Sequence, residues 1–176
     1  MVTTTQIGEG FAGSGANAAH VNTILGTKGG PVETAWATAL ATPRVGHVPF
    51  VVVLRPNLPV KPHTLFVNKA ELRGEDHARL TWGPAQAGVA SGIADAVAEG
   101  NVAPTDVDEL LLIAAVWVAW DANDEAMVYE HNRGATRDAL AAGAAGLPSL
   151  DDVLAARASP TNPYYAGPDR QPGIYS

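Results

Sequence analysis

The chain has 176 residues, a formal net charge of −7 and no cysteine. This length predicts one domain with a core that needs no cross-links, and the missing cysteines exclude disulfides and thiolate metal sites. Basic residues are few and scattered, which argues against nucleic-acid binding. The N-terminus does not have the pattern of a signal peptide, and the apolar run 110–120 is too short to span a membrane. We therefore expect a soluble cytoplasmic protein with no membrane partner.

Hydrophobic patterning predicts alternating strands and helices along the whole chain. Alternation and valine-rich runs indicate strands at 5–12, 19–26, 50–54, 64–69 and 110–120. The run 50–54 is short and continuously apolar, so we expect a buried strand there. Helical spacing indicates helices at 32–42, 85–99, 124–145 and 149–157. Pro31 suits the first turn of the first helix, and Ser149 can cap the last one.

These elements follow one another without long linkers, which predicts a layered α/β domain over residues 1–158. The remaining residues, 159–176, are rich in proline. Such a composition predicts an extended C-terminal tail that becomes ordered only when a partner holds it.

Residues 8–13 match the GxGxxG pattern of dinucleotide-binding loops. That pattern requires the loop to open a helix directly after a strand. Here the following residues, 13–17, are unfavourable for a helix. We therefore interpret the glycines as part of a turn between two strands.

The five histidines show no spacing that is typical of a metal site, so no metal is expected. His47, His63, His77 and His131 have neighbours typical of surface loops, and we expect them to be solvated. His20 differs because it begins a predicted strand after a glycine-rich loop. Histidine is well suited to proton transfer near neutral pH. The local sequence supports a catalytic and a packed His20 equally.

Two more side chains have a possible role in binding. Gln86 would lie in the first turn of a helix, near free N–H groups that can face a ligand, although an ordinary helix start has the same appearance. Lys69 ends a predicted strand and faces either a pocket or, more usually, solvent. No serine or cysteine nucleophile motif is present.

Four groups of short motifs follow one another over residues 6–165 with nearly gap-free spacing. They are GE, GSG, AH and GTKGGPVETA (8–35); PNLP, KP and NK (56–69); GPAQ and GVA (83–90); and WDA, AT and NPY (120–164). In this order they resemble the formaldehyde-activating enzyme family, the hydro-lyases that act with tetrahydromethanopterin.

The resemblance implies a two-layer α/β (α+β) sandwich like the second domain of ribosomal protein S5. It also implies a homopentamer with its active sites in clefts between subunits. Formaldehyde would be the substrate and a tetrahydropterin, such as tetrahydromethanopterin, the co-substrate, with no metal. His20 aligns with the family's proton donor, and Lys69 and Gln86 align with positions that contact the pterin.

Three other pterin-contact positions depart from the family pattern: Asn22 replaces an aspartate, Val51 a leucine and Glu71 a threonine. Ala119 also replaces the histidine that usually precedes the late tryptophan. Asn22 matters most, because an acid there would hold His20 protonated.

Three functions remain open from the sequence. The first is condensation of formaldehyde with tetrahydromethanopterin. The second is the same chemistry with another reduced cofactor, such as tetrahydrofolate, or with another small aldehyde. The third is non-catalytic binding of an aldehyde or a pterin, because a fold is often kept when an activity is lost.

Overall fold

The computed structural model describes residues 5–167, which contain a mixed α/β fold. The seven strands are β1 (Gln6–Ala12), β2 (Ala19–Thr27), β3 (Phe50–Val51), β4 (Val53–Arg55), β5 (Leu58–Pro59), β6 (His63–Asn68) and β7 (Leu110–Trp117). The helices are α1 (Pro31–Ala41), α2 (Gly74–Leu80), α3 (Gln86–Ala98), α4 (Glu125–Ala145) and α5 (Leu150–Ala156). Most of the predicted elements are therefore confirmed to within a few residues.

The chain forms two compact units, one ending at Gly146 and the other beginning at Leu147. The first unit contains the whole sheet and helices α1 to α4, and the second contains α5. Ser149 caps α5 as predicted, through a hydrogen bond from the Asp152 backbone N–H. The predicted division into 1–158 and 159–176 stays a prediction, and residues 168–176 of the tail lie outside the described residues.

Five strands form one mixed sheet in the order β1-β2-β7-β6-β3, in which β6 and β7 are parallel and the other neighbours antiparallel. β4 and β5 form a separate two-stranded sheet. This order places β2 and β6 on either side of β7. Residues that are far apart in sequence, near 20 and near 69, are therefore neighbours across one strand.

One face of β1 and β2, the helix face, packs against α4. A Cβ atom added to Gly8 would lie 1.8 Å from the backbone oxygen of Ala139, and one added to Gly10 would lie 2.0 Å from that of Ala135. Both glycines are inside β1, so our interpretation of them as part of a turn is wrong. They have no side chain because the helix backbone occupies that space.

The core lies between this helix face and the helices α3 and α4. Its fully buried large side chains include Val21, Leu25, Phe66, Val89, Ile93 and Leu112. Arg133 on α4 joins Asp95 on α3 through two hydrogen bonds of 2.6 and 3.1 Å. No single helix within residues 5–167 is long and apolar enough to cross a membrane.

The predicted buried strand 50–54 is wrong in two respects. It is divided into β3 and β4 at Val52, and β3 is the edge strand of the large sheet. Val52 is fully buried, but Leu54 is 47% exposed. The Val52 N–H bonds to the Thr64 oxygen, while the Val52 oxygen accepts from the Val60 N–H. The chain thus leaves one sheet and enters the other at this residue.

The helix predicted at 85–99 has a more complex beginning. α2 precedes it, and a π-helical segment over Thr81–Ala85 joins α2 to α3. Pro84 lies in this segment. Because proline has no N–H, it interrupts the regular hydrogen bonding of an α-helix.

Candidate active site

The second face of β1 and β2, which we call the open face, presents polar side chains. Successive residues of a strand point to opposite faces, so Glu9 lies between Gly8 and Gly10 but faces away from α4. In register, Glu9 is opposite Asn22, and Phe11 is opposite His20. The two strands therefore bring a carboxylate, an imidazole and an amide together on one surface.

His20 has charged partners on both ring nitrogens. Its Nε2 lies 2.9 Å from Oε1 of Glu9, and its Nδ1 lies 3.1 Å from Nζ of Lys69. The Lys69 amine is a donor, so Nδ1 accepts and Nε2 carries the hydrogen that is donated to Glu9. The Phe11 ring lies 6.1 Å from the His20 ring, centroid to centroid.

Lys69 reaches this surface from the end of β6. Its backbone N–H bonds to the Val116 oxygen at 2.8 Å and so continues the β6–β7 ladder. Its Nζ donates to Oδ1 of Asn22 at 2.8 Å. Between β2 and β6 lies β7, whose Ala115 is opposite Asn22 in the register. At this position β7 contributes only a methyl group. Glu9, His20, Asn22 and Lys69 thus form one hydrogen-bonded group, the polar cluster.

The charges of the cluster act against one another. Burial, and then the positive charge of Lys69, lower the pKa of His20 below its ordinary value of 6.5, while Glu9 acts in the opposite direction. Burial also lowers the pKa of Lys69 to about 8, again with Glu9 opposing. Near neutral pH, His20 is therefore mainly the neutral imidazole, and its protonated form is a stronger acid than an ordinary imidazolium.

Two other predicted site residues, Val51 and Gln86, lie at a cavity of about 410 Å³. This volume lies within the usual range for a site that binds a small molecule. Oε1 of the buried Gln86 accepts the Val53 N–H at 2.7 Å, which leaves the amide nitrogen available for a ligand. The lining residues are Val48, Phe50, Val51, Val53, Trp82 and Gln86.

The remaining predicted residue, Glu71, is exposed on the loop after Lys69. Its backbone oxygen accepts from Nε1 of Trp120 at 2.9 Å. The Arg73 guanidinium lies over the same tryptophan, 3.5 Å from the ring centroid. The structure thus brings His20, Asn22 and Lys69 into contact, and places Val51 and Gln86 at the cavity and Glu71 on a loop.

The expectation that the other histidines are solvated is wrong for His77, which is only 3% exposed. Its Nδ1 accepts the Arg73 N–H and its Nε2 bonds to the Val118 oxygen, both at 3.1 Å. These bonds join α2 to the chain after β7. His47 and His131 are half-buried and bond to backbone oxygens. Among residues 5–167, no group of three or more potential ligand side chains is arranged to hold a metal ion.

Sequence reasoning did not single out Glu9 as a site residue. The sequence contained a weak indication of this role. An acid between two glycines in a strand points to the opposite face of the sheet from the glycines. Only the pairing with β2 shows that this face also carries His20. The cavity residues Phe50 and Trp82 were missed too, because nothing in their local sequence connects them.

Known proteins that are similar to this chain define its family. The family model described as formaldehyde-activating enzyme (Fae) matches residues 7–165. The 5,6,7,8-tetrahydromethanopterin hydro-lyase of Methanosarcina barkeri is 41% identical over 160 residues, which are 91% of this chain and 90% of that protein. The chain belongs to the formaldehyde-activating enzyme family.

Longer relatives share the same region. The bifunctional enzyme Fae/Hps of Methanosarcina barkeri is 43% identical over 149 residues, which are 85% of this chain and 38% of that enzyme. The bifunctional Fae/Hps of Methanococcoides burtonii is also 43% identical, over 84% of this chain and 37% of its own length. The chain therefore corresponds to less than half of these bifunctional enzymes.

Proposed function

We propose that this protein condenses formaldehyde with tetrahydromethanopterin to give the methylene-pterin and water, with His20 as the proton donor. The polar cluster is the observation that carries this proposal. A histidine with a lysine on one nitrogen and a carboxylate on the other is arranged for proton transfer, and it lies in a chain of this family.

The reaction needs a proton at one step. An amine adds to formaldehyde and gives a carbinolamine, whose hydroxide is a poor leaving group. Protonation by His20 allows it to leave as water, and the resulting iminium is captured by the second amine of the pterin. Glu9, 2.9 Å from Nε2, stabilises the imidazolium that donates the proton. A positioned general acid contributes about 10²- to 10⁴-fold.

The pterin would contact Asn22, Val51, Lys69, Glu71 and Gln86. The free amide nitrogen of Gln86 suits an acceptor on the pterin edge. The apolar lining around Val51 suits the flat face of the ring. Formaldehyde needs little space and would react at the polar cluster.

The site would be completed between subunits of a homopentamer. The exposed apolar side chains of the open face support this assembly, because Ile7 is 67%, Phe11 42% and Ile24 37% exposed. Native mass spectrometry tests it by looking for five times the chain mass of 18.2 kDa. A fold like the second domain of ribosomal protein S5 and a cytoplasmic location remain parts of the same proposal.

Stopped-flow formation of the methylene-pterin tests the activity. We expect a rate above that of buffer, and we expect His20→Ala to lose about 10²- to 10⁴-fold. His63→Ala is the matched control, because His63 lies at the opposite end of β6 from Lys69. A wild-type rate equal to that of buffer would sink the proposal. Tight pterin binding with no turnover would indicate the non-catalytic alternative.

Asn22 and Glu71 favour a second candidate, a related reaction with tetrahydrofolate or another small aldehyde. The Lys69–Asn22 bond shows an amide at a position where the family has an acid, which changes hydrogen bonding to any ligand amine. A thermal-shift comparison of the two reduced cofactors distinguishes the candidates, because ligand binding raises stability by mass action. Stabilisation by tetrahydromethanopterin alone would exclude tetrahydrofolate as the cofactor.

A further inference from the structure

The amine of Lys69 is held on the open face by two neutral acceptors. Nζ lies 3.1 Å from Nδ1 of His20 and 2.8 Å from Oδ1 of Asn22. Neither acceptor carries a negative charge when His20 is the neutral imidazole. The nearby carboxylate, Glu9, makes its contact with Nε2 of His20 instead.

This environment suits a neutral amine. A neutral primary amine has two N–H groups and one lone pair, so the two acceptors can take both hydrogens and leave the lone pair for a reacting carbon. A carboxylate at position 22 would hold the ammonium form, but the Asn22 amide does not. Burial lowers the pKa of Lys69 to about 8, against the opposing charge of Glu9.

We propose that Lys69 is a nucleophile that captures formaldehyde on Nζ as an iminium and passes the one-carbon unit to the pterin amine. This inference rests on the proposed function and deepens it, because it adds a covalent step to the same site. It gives Asn22 a role in this chain: an uncharged partner that orients the lysine without holding it protonated.

Capture of formaldehyde begins at Nζ of Lys69. The Nζ lone pair forms a bond to the formaldehyde carbon, and the C=O π electrons move to oxygen. One Nζ proton passes to Nδ1 of His20, 3.1 Å away, and from there to that oxygen, giving the carbinolamine. A further proton, taken up from solvent through His20, allows the C–O bond to break and water to leave. The iminium carries the resulting positive charge.

Transfer to the pterin exchanges one amine for another at the same carbon. A secondary amine of the pterin adds to the iminium carbon, and its proton moves to Nζ. The Nζ–C bond then breaks, releasing neutral Lys69 and the pterin iminium. The second pterin amine closes the methylene bridge and gives its proton to solvent. The net reaction is that of the proposed function, and Lys69 is regenerated.

Reductive trapping tests the inference without any pterin. The protein is treated briefly at pH 7 with limiting formaldehyde and cyanoborohydride, and N-methyl-lysine is quantified at each position by peptide mass spectrometry. The chain has three lysines, so Lys28 and Lys61 are internal controls. Both are exposed, Lys28 bonding to the backbone oxygen of Asp108 and Lys61 to its carboxylate.

Lys69 should be labelled at least about tenfold faster than either control. At pH 7 an amine with a pKa of about 8 is roughly one-tenth neutral. A lysine at the reference value is neutral in roughly one molecule in 2,500. Half-burial of Lys69 reduces this advantage. Equal labelling of the three lysines, or slower labelling of Lys69, overturns the inference.

Asn22→Asp is the matched variant. Its carboxylate would hold the Lys69 ammonium, so labelling of Lys69 should fall toward that of Lys28 and Lys61, whose labelling should not change. Lys69 labelling that is unaffected in a folded Asn22→Asp protein contradicts the role given to Asn22. If this variant does not fold, the comparison of the three lysines in the wild-type protein still decides.

A chase experiment tests the transfer step. Adding tetrahydromethanopterin before the reductant should lower labelling at Lys69 and leave the other two lysines unchanged. Labelling that persists would show a dead-end adduct and overturn the carrier role. Turnover without trapping refutes only this inference, whereas selective trapping without turnover refutes the proposed function and the carrier role and leaves Lys69 as a nucleophile toward formaldehyde.

Discussion

The two faces of β1 and β2 differ in how much space they leave for side chains. On the helix face, Gly8 and Gly10 meet the backbone of α4 so closely that no side chain fits. On the open face, Glu9 and His20 are in contact with each other and remain partly exposed. Side chains alternate between the helix face and the open face along each strand. One residue therefore contributes to packing, and the next one contributes to the polar cluster.

This difference explains why the GEG sequence is easily misread. Its two glycines are needed for helix packing, and the glutamate between them contacts the histidine. In a dinucleotide-binding loop the first glycine would allow the tight turn and the second would let the backbone approach the pyrophosphate. In this chain Gly8 and Gly10 pack against α4, and Glu9 contacts His20.

A side chain added on the helix face should destabilise the protein strongly. Gly10→Ala would put a Cβ atom 2.0 Å from the Ala135 backbone oxygen, which cannot move without displacing α4. We expect a destabilisation of more than about 3 kcal/mol, measured by urea unfolding, or loss of soluble protein.

Gly134→Ala is the control for that variant. Gly134 lies within α4, and an added Cβ would be 4.0 Å from Ala12 Cβ, which is an ordinary contact. Replacing a glycine inside a helix by alanine should stabilise by about 0.5–1 kcal/mol. If Gly10→Ala unfolded like Gly134→Ala, the close packing between β1 and α4 would be contradicted.

The sequence predicted the strands and helices well where periodicity was strong, as in β1, β2 and α4. It failed at Val52, because the switch between two sheets depends on hydrogen bonds to Thr64 and Val60, which lie outside the apolar run 50–54. It also missed α2. Pro84 was interpreted as the start of a helix, whereas it lies in the π-helical segment that joins α2 to α3.

The site was predictable only in part. His20 and Lys69 were found by resemblance to a family, but their contact follows from the strand order β2-β7-β6, which local patterns do not specify. Glu9 required the register of β1 against β2. Gln86 was expected at a helix start, whereas its bond to Val53 across the cavity is a tertiary feature.

On the open face, Glu9 is expected to control the protonation of His20. Glu9→Gln removes a carboxylate that raises the pKa of His20, so the NMR titration midpoint of His20 should move to lower pH. Each unit of that shift removes about tenfold of the imidazolium present at neutral pH, and turnover at pH 7 should fall accordingly.

Glu130→Gln makes the same charge change on an exposed residue of α4. It should leave both the His20 titration and the turnover unchanged, because α4 lies on the helix face. Equal shifts in the two variants would mean that net charge, rather than the 2.9 Å contact between Glu9 and His20, sets the pKa.

The smallest expected effect concerns the cavity, where packing and binding meet in one side chain. Gln86→Ala leaves the Val53 N–H without its acceptor, at a cost of about 1–3 kcal/mol in urea unfolding. Gln86→Glu keeps an acceptor oxygen and should lose less stability. Both variants lose the amide N–H₂ donor, so both should raise the KM for the pterin several-fold, by about 1 kcal/mol of binding. A wild-type KM in Gln86→Glu would show that this side chain only holds β4 through the Val53 N–H. Gln86 would then contribute to packing, like the helix face, and not to binding.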